Sequence, residues 1–344
     1  MRKEDDPGGA DDRFLSSATP GNGNEADHKR RWSAPPRLET TLCGIRLRNP
    51  VLAASGTFGY GVEFASLVDL NRLGGIVTKG LSREPIDGNP APRLWEATSG
   101  MINSVGLQNI GVREFVRVKL PALARYDVPV IANVFGYCVE DYAETIRVLE
   151  DHAGIAAYEL NVSCPNTKDG GIFFSSDPNL LSELTRAVRP LTPRPLIVKL
   201  SPNVASVAPF ARAAEEAGAN AISLVNTFIS LAIDARSRRP RIGTGFGGLS
   251  GPAIKPIALR MVYEAAQSVT IPVIGLGGIA TGEDAAEFLI AGAQAVQAGT
   301  ATFFHPRAPL RIARQLDRFL ERQHVANVRE IVGTLSLPAK LEIK

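Results

Sequence analysis

Cysteine, methionine, tryptophan and histidine are all scarce in this chain of 344 residues, which holds three, three, two and four of them respectively. Cys43, Cys138 and Cys164 stand far apart, without the even count or close spacing of a disulfide framework or a metal cluster. A reducing compartment fits them, no metal site is expected, and three scattered thiols cannot supply the four thiolates of an iron–sulfur cluster. Aromatic residues make up only 6% of the chain, and the net charge of +3 is spread along it, so neither base stacking nor a basic footprint points to nucleic acid. No apolar run approaches the roughly 18 residues of a membrane span, and the charged, Gly-rich stretch Met1 to Asp12 does not read as a signal peptide. A strand–GxGxxG–helix unit followed by an acidic residue, as NAD binding uses, is also missing. What remains is a soluble, cytoplasmic protein acting on a small molecule, with no nucleic-acid or membrane partner.

Apolar residues, 44% of the chain, are plentiful, and 32 glycines with 24 prolines suit many tight turns between alternating elements. Residues 1–36 hold too little apolar surface to order, so a disordered N-terminal extension is expected there, with the basic cluster His28 to Arg31 as part of a solvated tail. One large domain over residues 37–325 and a C-terminal tail over 326–344 complete the expected organisation. Short runs rich in Val, Ile, Leu and Ala predict strands at Pro50 to Ala54, Gly75 to Lys79, Val128 to Val134, Ala156 to Asn161, Leu196 to Leu200, Ala221 to Val225, Pro272 to Gly275 and Ala295 to Ala298. They are apolar throughout instead of alternating, as parallel strands buried on both faces require. Helix-period segments separate them, among them Glu140 to His152, Asn179 to Val188, Val204 to Ala217 and Ala253 to Gln267. Strict alternation with this count predicts an α/β fold, a closed (β/α)₈ TIM barrel, with an open doubly wound sheet as the alternative. Thr40 to Arg48 predicts a small hairpin before the first strand. Three connections, Gly80 to Ile110, Val162 to Asp177 and Asn226 to Gly251, are longer than a barrel needs. Each follows a strand, so all three extended loops rise from the C-terminal face, where barrel active sites are built.

Polar residues recur at the strand exits: Ser55, Lys79, Asn133, Asn161, Lys199 and Asn226. Singly they are turn or capping residues, but at matching positions in one barrel they converge. The seventh strand runs into Gly275-Leu-Gly-Gly-Ile279 and Thr281-Gly-Glu-Asp284, and the eighth into Ala298-Gly-Thr300. Backbone amides at such glycines and at a helix N-terminus cradle phosphate, and the loops after strands seven and eight are the usual phosphate site of a barrel. Cys164, in Asn161-Val-Ser-Cys-Pro-Asn166 just after the fourth strand, has a different character from a core cysteine. A free thiol ionises near pH 8.5, so a modest shift lets it take up a proton. No His follows at the spacing of a thiolate pair, which favours proton transfer over acyl transfer.

The segments Ala54-Ser-Gly-Thr-Phe58, Thr78-Lys-Gly80, Asn103-Ser-Val-Gly-Leu-Gln-Asn109, Asn161-Val-Ser-Cys-Pro-Asn166, Val198-Lys-Leu-Ser-Pro-Asn203, Leu224-Val-Asn-Thr227 and Gly248-Leu-Ser-Gly251 occur in this order. Together they resemble the dihydroorotate dehydrogenases of class 1, over about Leu42 to Phe304. Cysteine where class 2 enzymes carry serine, with Leu107-Gln-Asn109, is similar to the B-type of that class.

The resemblance implies oxidation of dihydroorotate to orotate in pyrimidine biosynthesis, with FMN across the barrel mouth. Its phosphate would rest on Gly277, Gly278, Gly299 and Thr300, while Ser55, Lys79, Gly80, Asn133, Asn161, Val225 and Gly251 would be further contacts. Lys199 would set positive charge where the reduced flavin gathers negative charge. The pyrimidine ring needs donors and acceptors together, as Asn103, Asn161, Asn166, Asn226 and Thr227 provide. Ser104, Val105, Gly106 and Leu107 would close round it, Lys79 would balance its carboxylate, and Cys164 would remove the C5 proton while hydride leaves C6. A homodimer is expected, as is a separate FAD and iron–sulfur subunit passing electrons to NAD. The alternatives left open are another flavin barrel acting on pyrimidines, such as a dihydropyrimidine dehydrogenase module or a tRNA dihydrouridine synthase, and a non-catalytic barrel that binds a phosphate ligand.

Overall fold

The structure, a computed structural model, describes residues 36–162 and 171–338, all within the unit Ala34–Lys344. Residues 1–35, nearly all of the expected extension, lie outside the described residues. Eight parallel strands close into a barrel: β1 (Val51–Ala53), β2 (Gly75–Val77), β3 (Val130–Val134), β4 (Ala157–Asn161), β5 (Leu196–Lys199), β6 (Ala221–Leu224), β7 (Val273–Leu276) and β8 (Ala295–Ala298). The ring is sealed where β8 pairs with β1, Val296 opposite Val51. Every strand expected from the sequence is present, with ends that differ by a residue or two. The open-sheet alternative is excluded by the closure.

Side chains alternate across a strand, and the barrel uses both faces. Outward residues such as Val130, Ala132, Tyr158 and Leu160 join the layer packed beneath the helices. Inward residues Leu52, Val77, Ile131, Ile197 and Ile274 fill the lower barrel together with Leu42 and Leu47. Those two leucines come from the expected hairpin, Thr40–Leu42 against Ile45–Leu47. Its turn residues Cys43 and Gly44 both have positive φ, 49° and 82°, as a two-residue hairpin requires. Cys43 Sγ donates to the Asn220 carbonyl just before β6, which ties the hairpin to the N-terminal end of the barrel. Burial of Leu42 and Leu47, 1% and 0% exposed, stabilises by about 1.5–3 kcal/mol each.

The outer helices include Val139–Glu150, Pro178–Val188, Ala208–Glu216, Lys255–Ala266, Gly282–Ile290 and Ala308–Arg322. Ile312, Leu316 and Leu320 are buried at four-residue spacing, so the last of these lays one stripe on the barrel. Residues beyond 325, expected as a tail, continue into the fold. Val328 and Ile331 are buried, and the Gly333 and Leu335 amides bond to the Leu289 and Ile290 carbonyls.

Two of the long connections carry structure that their sequence conceals. Leu94–Ala97 and Gly100–Asn103 from the first pair with Phe246–Ser250 and Phe228–Leu231 from the other in a four-stranded antiparallel sheet. The pairing Gly248 with Asn103 joins segments 145 residues apart. Gly247 and Gly248 lower strand propensity but are required by space, because a Cβ on Gly248 would lie 1.9 Å from Thr227 Oγ1. This sheet roofs the C-terminal end of the barrel.

Candidate active site

A two-lobed cleft lies between the roof and the ends of the barrel strands. The larger lobe, about 970 Å³ of non-atom space, is mostly apolar and glycine-lined, and includes Met101, Val225, Ile254, Gly277, Gly278 and Gly299. The smaller, about 650 Å³, is polar, with Lys79, Asn103, Asn161, Asn226 and Thr227. Ser55, Asn103, Val105, Lys199, Asn226 and Thr227 line both, so the lobes form one continuous site. The apolar, glycine-lined lobe suits the body of a cofactor and the polar lobe a small substrate.

The floor follows from the strand period. Two residues beyond the inward apolar set, the inward positions become Lys79, Asn133, Glu159, Lys199, Ser223 and Gln297. Glu159 on β4, 0% exposed, gathers most of them. Its Oε1 accepts from Asn133 Nδ2 at 2.7 Å, and its Oε2 accepts from Ser223 Oγ and Gln297 Nε2, both at 2.8 Å. Lys199 Nζ lies 3.9 Å from Oε1. Ser223 on β6 and Gln297 on β8 are not neighbours of β4 in the sheet, so these contacts cross the barrel interior. Asn133 Oδ1 and Gln297 Oε1 are buried with no partner among the described residues, a state that costs about 1–3 kcal/mol per acceptor unless a ligand donates to it.

Above this floor, Lys79 is half-buried, and among the described residues no carboxylate lies within ion-pair distance. Burial lowers its pKa, nearby Arg93 lowers it further, and Glu63 opposes both. An uncompensated cation in a polar pocket calls for an anion. Asn103 Nδ2 donates to the Gly248 carbonyl at 3.2 Å and so fastens the roof. Gly106 and Leu107 both have positive φ, 76° and 57°. Leu107 is an uncommon residue for that conformation, and Asn109 holds the turn by donating to the Leu107 carbonyl and to Ser82 Oγ while accepting from the Gly111 amide. Leu107-Gln-Asn109 is therefore a turn with its own internal brace.

At Gly277 and Gly278 of the larger lobe a side chain would run into packed protein. Gly277 and Gly278 have φ of 127° and 81°, and a Cβ on Gly278 would lie 2.8 Å from Lys255 Cβ and 2.9 Å from the Gly251 carbonyl. The helix after β7 differs from the expected anion site in one respect. Gly282–Ile290 is capped by its own Thr281 and Asp284, which form a capping box, and the Gly282 amide donates to Gln315 Oε1. Its first amides are thus largely taken, which leaves the cradle to the Gly277-Gly278 turn and to Gly299-Thr300. Lys255 is held by Asp284 at 2.6 Å and Glu287 at 2.8 Å, so its charge is already compensated.

Of the residues singled out from sequence, Ser55, Val105, Lys199, Val225, Asn226, Thr227, Gly251 and Thr300 line the larger lobe with the glycines already named. Gly80, Gly106, Leu107 and Asn161 line the smaller. Asn133 sits below the cleft, in the Glu159 cluster. Ser104 is turned away and buried, accepting from Asn89 Nδ2 and Thr244 Oγ1 at 2.9 and 2.8 Å. Cys164 and Asn166 lie outside the described residues. Glu159, Ser223 and Gln297 are not among the residues that the motifs pick out. Their signal is the period of two, Ala157 to Glu159 to Asn161, counted inward along a strand that otherwise reads as apolar. Among the described residues no His/Cys/Asp/Glu cluster could hold a metal ion, and no helix is long and apolar enough to cross a membrane.

The family model for dihydroorotate dehydrogenase matches residues 37–320. A protein of Solibacter usitatus, provisionally named dihydroorotate dehydrogenase A (fumarate), is 72% identical over 87% of this chain and 99% of its own length. The catalytic subunits of dihydroorotate dehydrogenase B (NAD(+)) from Geotalea uraniireducens and Geobacter sulfurreducens are both 52% identical, covering 87% and 88% of this chain and 98% and 99% of theirs.

Proposed function

The chain belongs to the dihydroorotate dehydrogenase family, class 1 and B-type, an oxidoreductase that oxidises dihydroorotate to orotate in pyrimidine biosynthesis, and on that premise we propose that it does so with bound FMN and with Cys164 as the base. The observation that carries the reading is the junction of the two lobes at Lys199, Asn103 and Asn226, where a cofactor in one lobe meets a substrate in the other. The family is flavin-dependent in general. FMN as the particular flavin is supported by the glycine backbone of Gly277, Gly278 and Gly299 that lines the larger lobe, the kind of surface that a phosphate tail needs. Two buried acceptors and the Lys199 ammonium beneath it match a ring edge that carries both N–H and carbonyl groups.

When bound, the flavin supplies the acceptor for the hydride that leaves C6 of dihydroorotate. The chain supplies the rest. Lys79 holds the substrate carboxylate, Asn103, Asn161, Asn226 and Thr227 satisfy the ring amides and carbonyls, and the Cys164 thiolate takes the C5 proton. Cys164 is three residues beyond Asn161, a length that spans at most about 11 Å, and Asn161 lines the polar lobe. The roof over the cleft limits water.

Gly278→Leu should release the cofactor, because the added side chain meets Lys255 and the Gly251 carbonyl at a backbone conformation that disfavours any Cβ. The purified variant is expected to be colourless, with a far-UV spectrum like that of the parent. Full yellow colour would remove the phosphate from this turn.

Relatives named for NAD(+) and for fumarate differ in the acceptor, and this chain lacks the dinucleotide motif and the cluster cysteines. We propose a separate FAD and iron–sulfur subunit that passes electrons on to NAD, with the catalytic chain as a homodimer. The isolated chain is then expected to reduce its own flavin with dihydroorotate and to turn over NAD only when that subunit is added. Sustained oxidation of dihydroorotate by fumarate, with no second protein, would instead place this chain with its A-type relative.

A further inference from the structure

Glu159 takes no part in the chemistry set out above, yet it is the group on which the floor of the cleft converges. An ionised carboxylate can only accept hydrogen bonds. Asn133 and Gln297 must therefore turn their amide nitrogens toward it, as they do, and their carbonyl oxygens are left facing elsewhere. Both oxygens are buried and lack a partner among the described residues. Gln297 lines the larger lobe. Asn133 Oδ1 lies 3.2 Å from where a Cβ on Gly80 would stand, and Gly80 lines the smaller. Ser223 donates to the same carboxylate, so the described side chains that hydrogen-bond to Glu159 have their polarity set by that one charge. Lys199, 3.9 Å away and 4% exposed, is the only cation within ion-pair distance of Glu159 among the described residues.

We propose that Glu159 is a positioning residue for the flavin: it fixes Gln297 as an acceptor toward the cofactor lobe and Asn133 as an acceptor beside Gly80, and offsets the charge of Lys199, thereby holding down the flavin's reduction potential. The inference rests on the flavin reading above. With the carboxylate in place the pair is close to neutral, so the site discriminates weakly between oxidised flavin and the more negative reduced form. Neutralising Glu159 leaves a positive charge in a water-poor site and favours the reduced form.

Glu159→Gln, nearly isosteric, tests both halves. Its amide presents a donor where only an acceptor stood, so Asn133 or Gln297 must reorient, and affinity for oxidised FMN is expected to fall about tenfold or more in a fluorescence titration of the apoprotein. The reduced form should gain about tenfold relative to the oxidised form, which for a two-electron couple is about 30 mV upward by dye equilibration. Adding Lys199→Met should bring the potential back toward the parent value, a reversal that a merely structural role of Glu159 would not produce. Should E159Q fail to fold, Glu159→Asp keeps the charge but withdraws the acceptor. Its potential should stay at the parent value while FMN affinity falls. An unshifted or lowered potential in E159Q, or parental FMN affinity in E159D, overturns the proposal. A parent protein that binds no flavin would instead overturn the cofactor reading, and this inference with it.

Discussion

Cys164→Ser is expected to slow anaerobic flavin reduction by dihydroorotate about 10²–10⁴-fold near neutral pH, the usual contribution of a positioned general base. A thiol ionises near pH 8.5 and a serine hydroxyl far higher, so the two proteins should differ in profile as well as rate. The base works deprotonated, so the parent rate rises with pH and levels off above the thiol's pKa. The serine variant has no such plateau in the accessible range, and its deficit shrinks as pH rises. The amide contacts of Asn103, Asn161 and Asn226 stay in place, so orotate affinity should change little and binding separates from chemistry in one variant. Stopped-flow reduction at the parent rate across the neutral range would end the assignment and move the base to another residue of the same loop, with Ser163 next.

Lys79→Met should be nearly as damaging, through binding. Lys79 is a half-buried cation with no anionic partner among the described residues, in the lobe that would hold a small carboxylate. Removing one member of a buried charged pair costs about 2–5 kcal/mol, so kcat/KM for dihydroorotate should fall about 10²–10³-fold and orotate binding should weaken in parallel. The pH dependence has a definite sign. Burial and Arg93 lower the Lys79 pKa, and only the protonated form holds the carboxylate. In the free enzyme kcat/KM should therefore decline toward alkaline pH earlier than an ordinary lysine would allow. Lys79→Arg, permanently charged, should retain more of its activity there. Orotate affinity unchanged in the Met variant would show that another group holds the carboxylate.

The barrel was legible because parallel strands buried on both faces read as apolar runs, and β8 was placed to the residue. The roof was not, because its strands are short, two of its positions are glycines chosen for space against Thr227 and Ile102, and its register joins Asn103 to Gly248. Local propensity carries no record of a partner so far away in the chain. The helix after β7 was legible, but the use of its first amides was not, since Gln315 arrives from a helix 33 residues later.

The sequence by itself determined the strand count, the face on which the long loops gather, and the residue types at the strand ends, since each follows from period and position within one segment. Only the tertiary structure decided what those residues face. Ser104 turns from the cleft to Asn89 and Thr244, and Asn133 drops beneath it to Glu159. Glu159, one acid within an apolar strand, becomes the centre of the floor because closure of the barrel brings β6 and β8 to face β4 across its interior, while the adjacent strand β3 supplies Asn133. A contact across a closed barrel depends on the shape of the whole ring, and no stretch of sequence contains it.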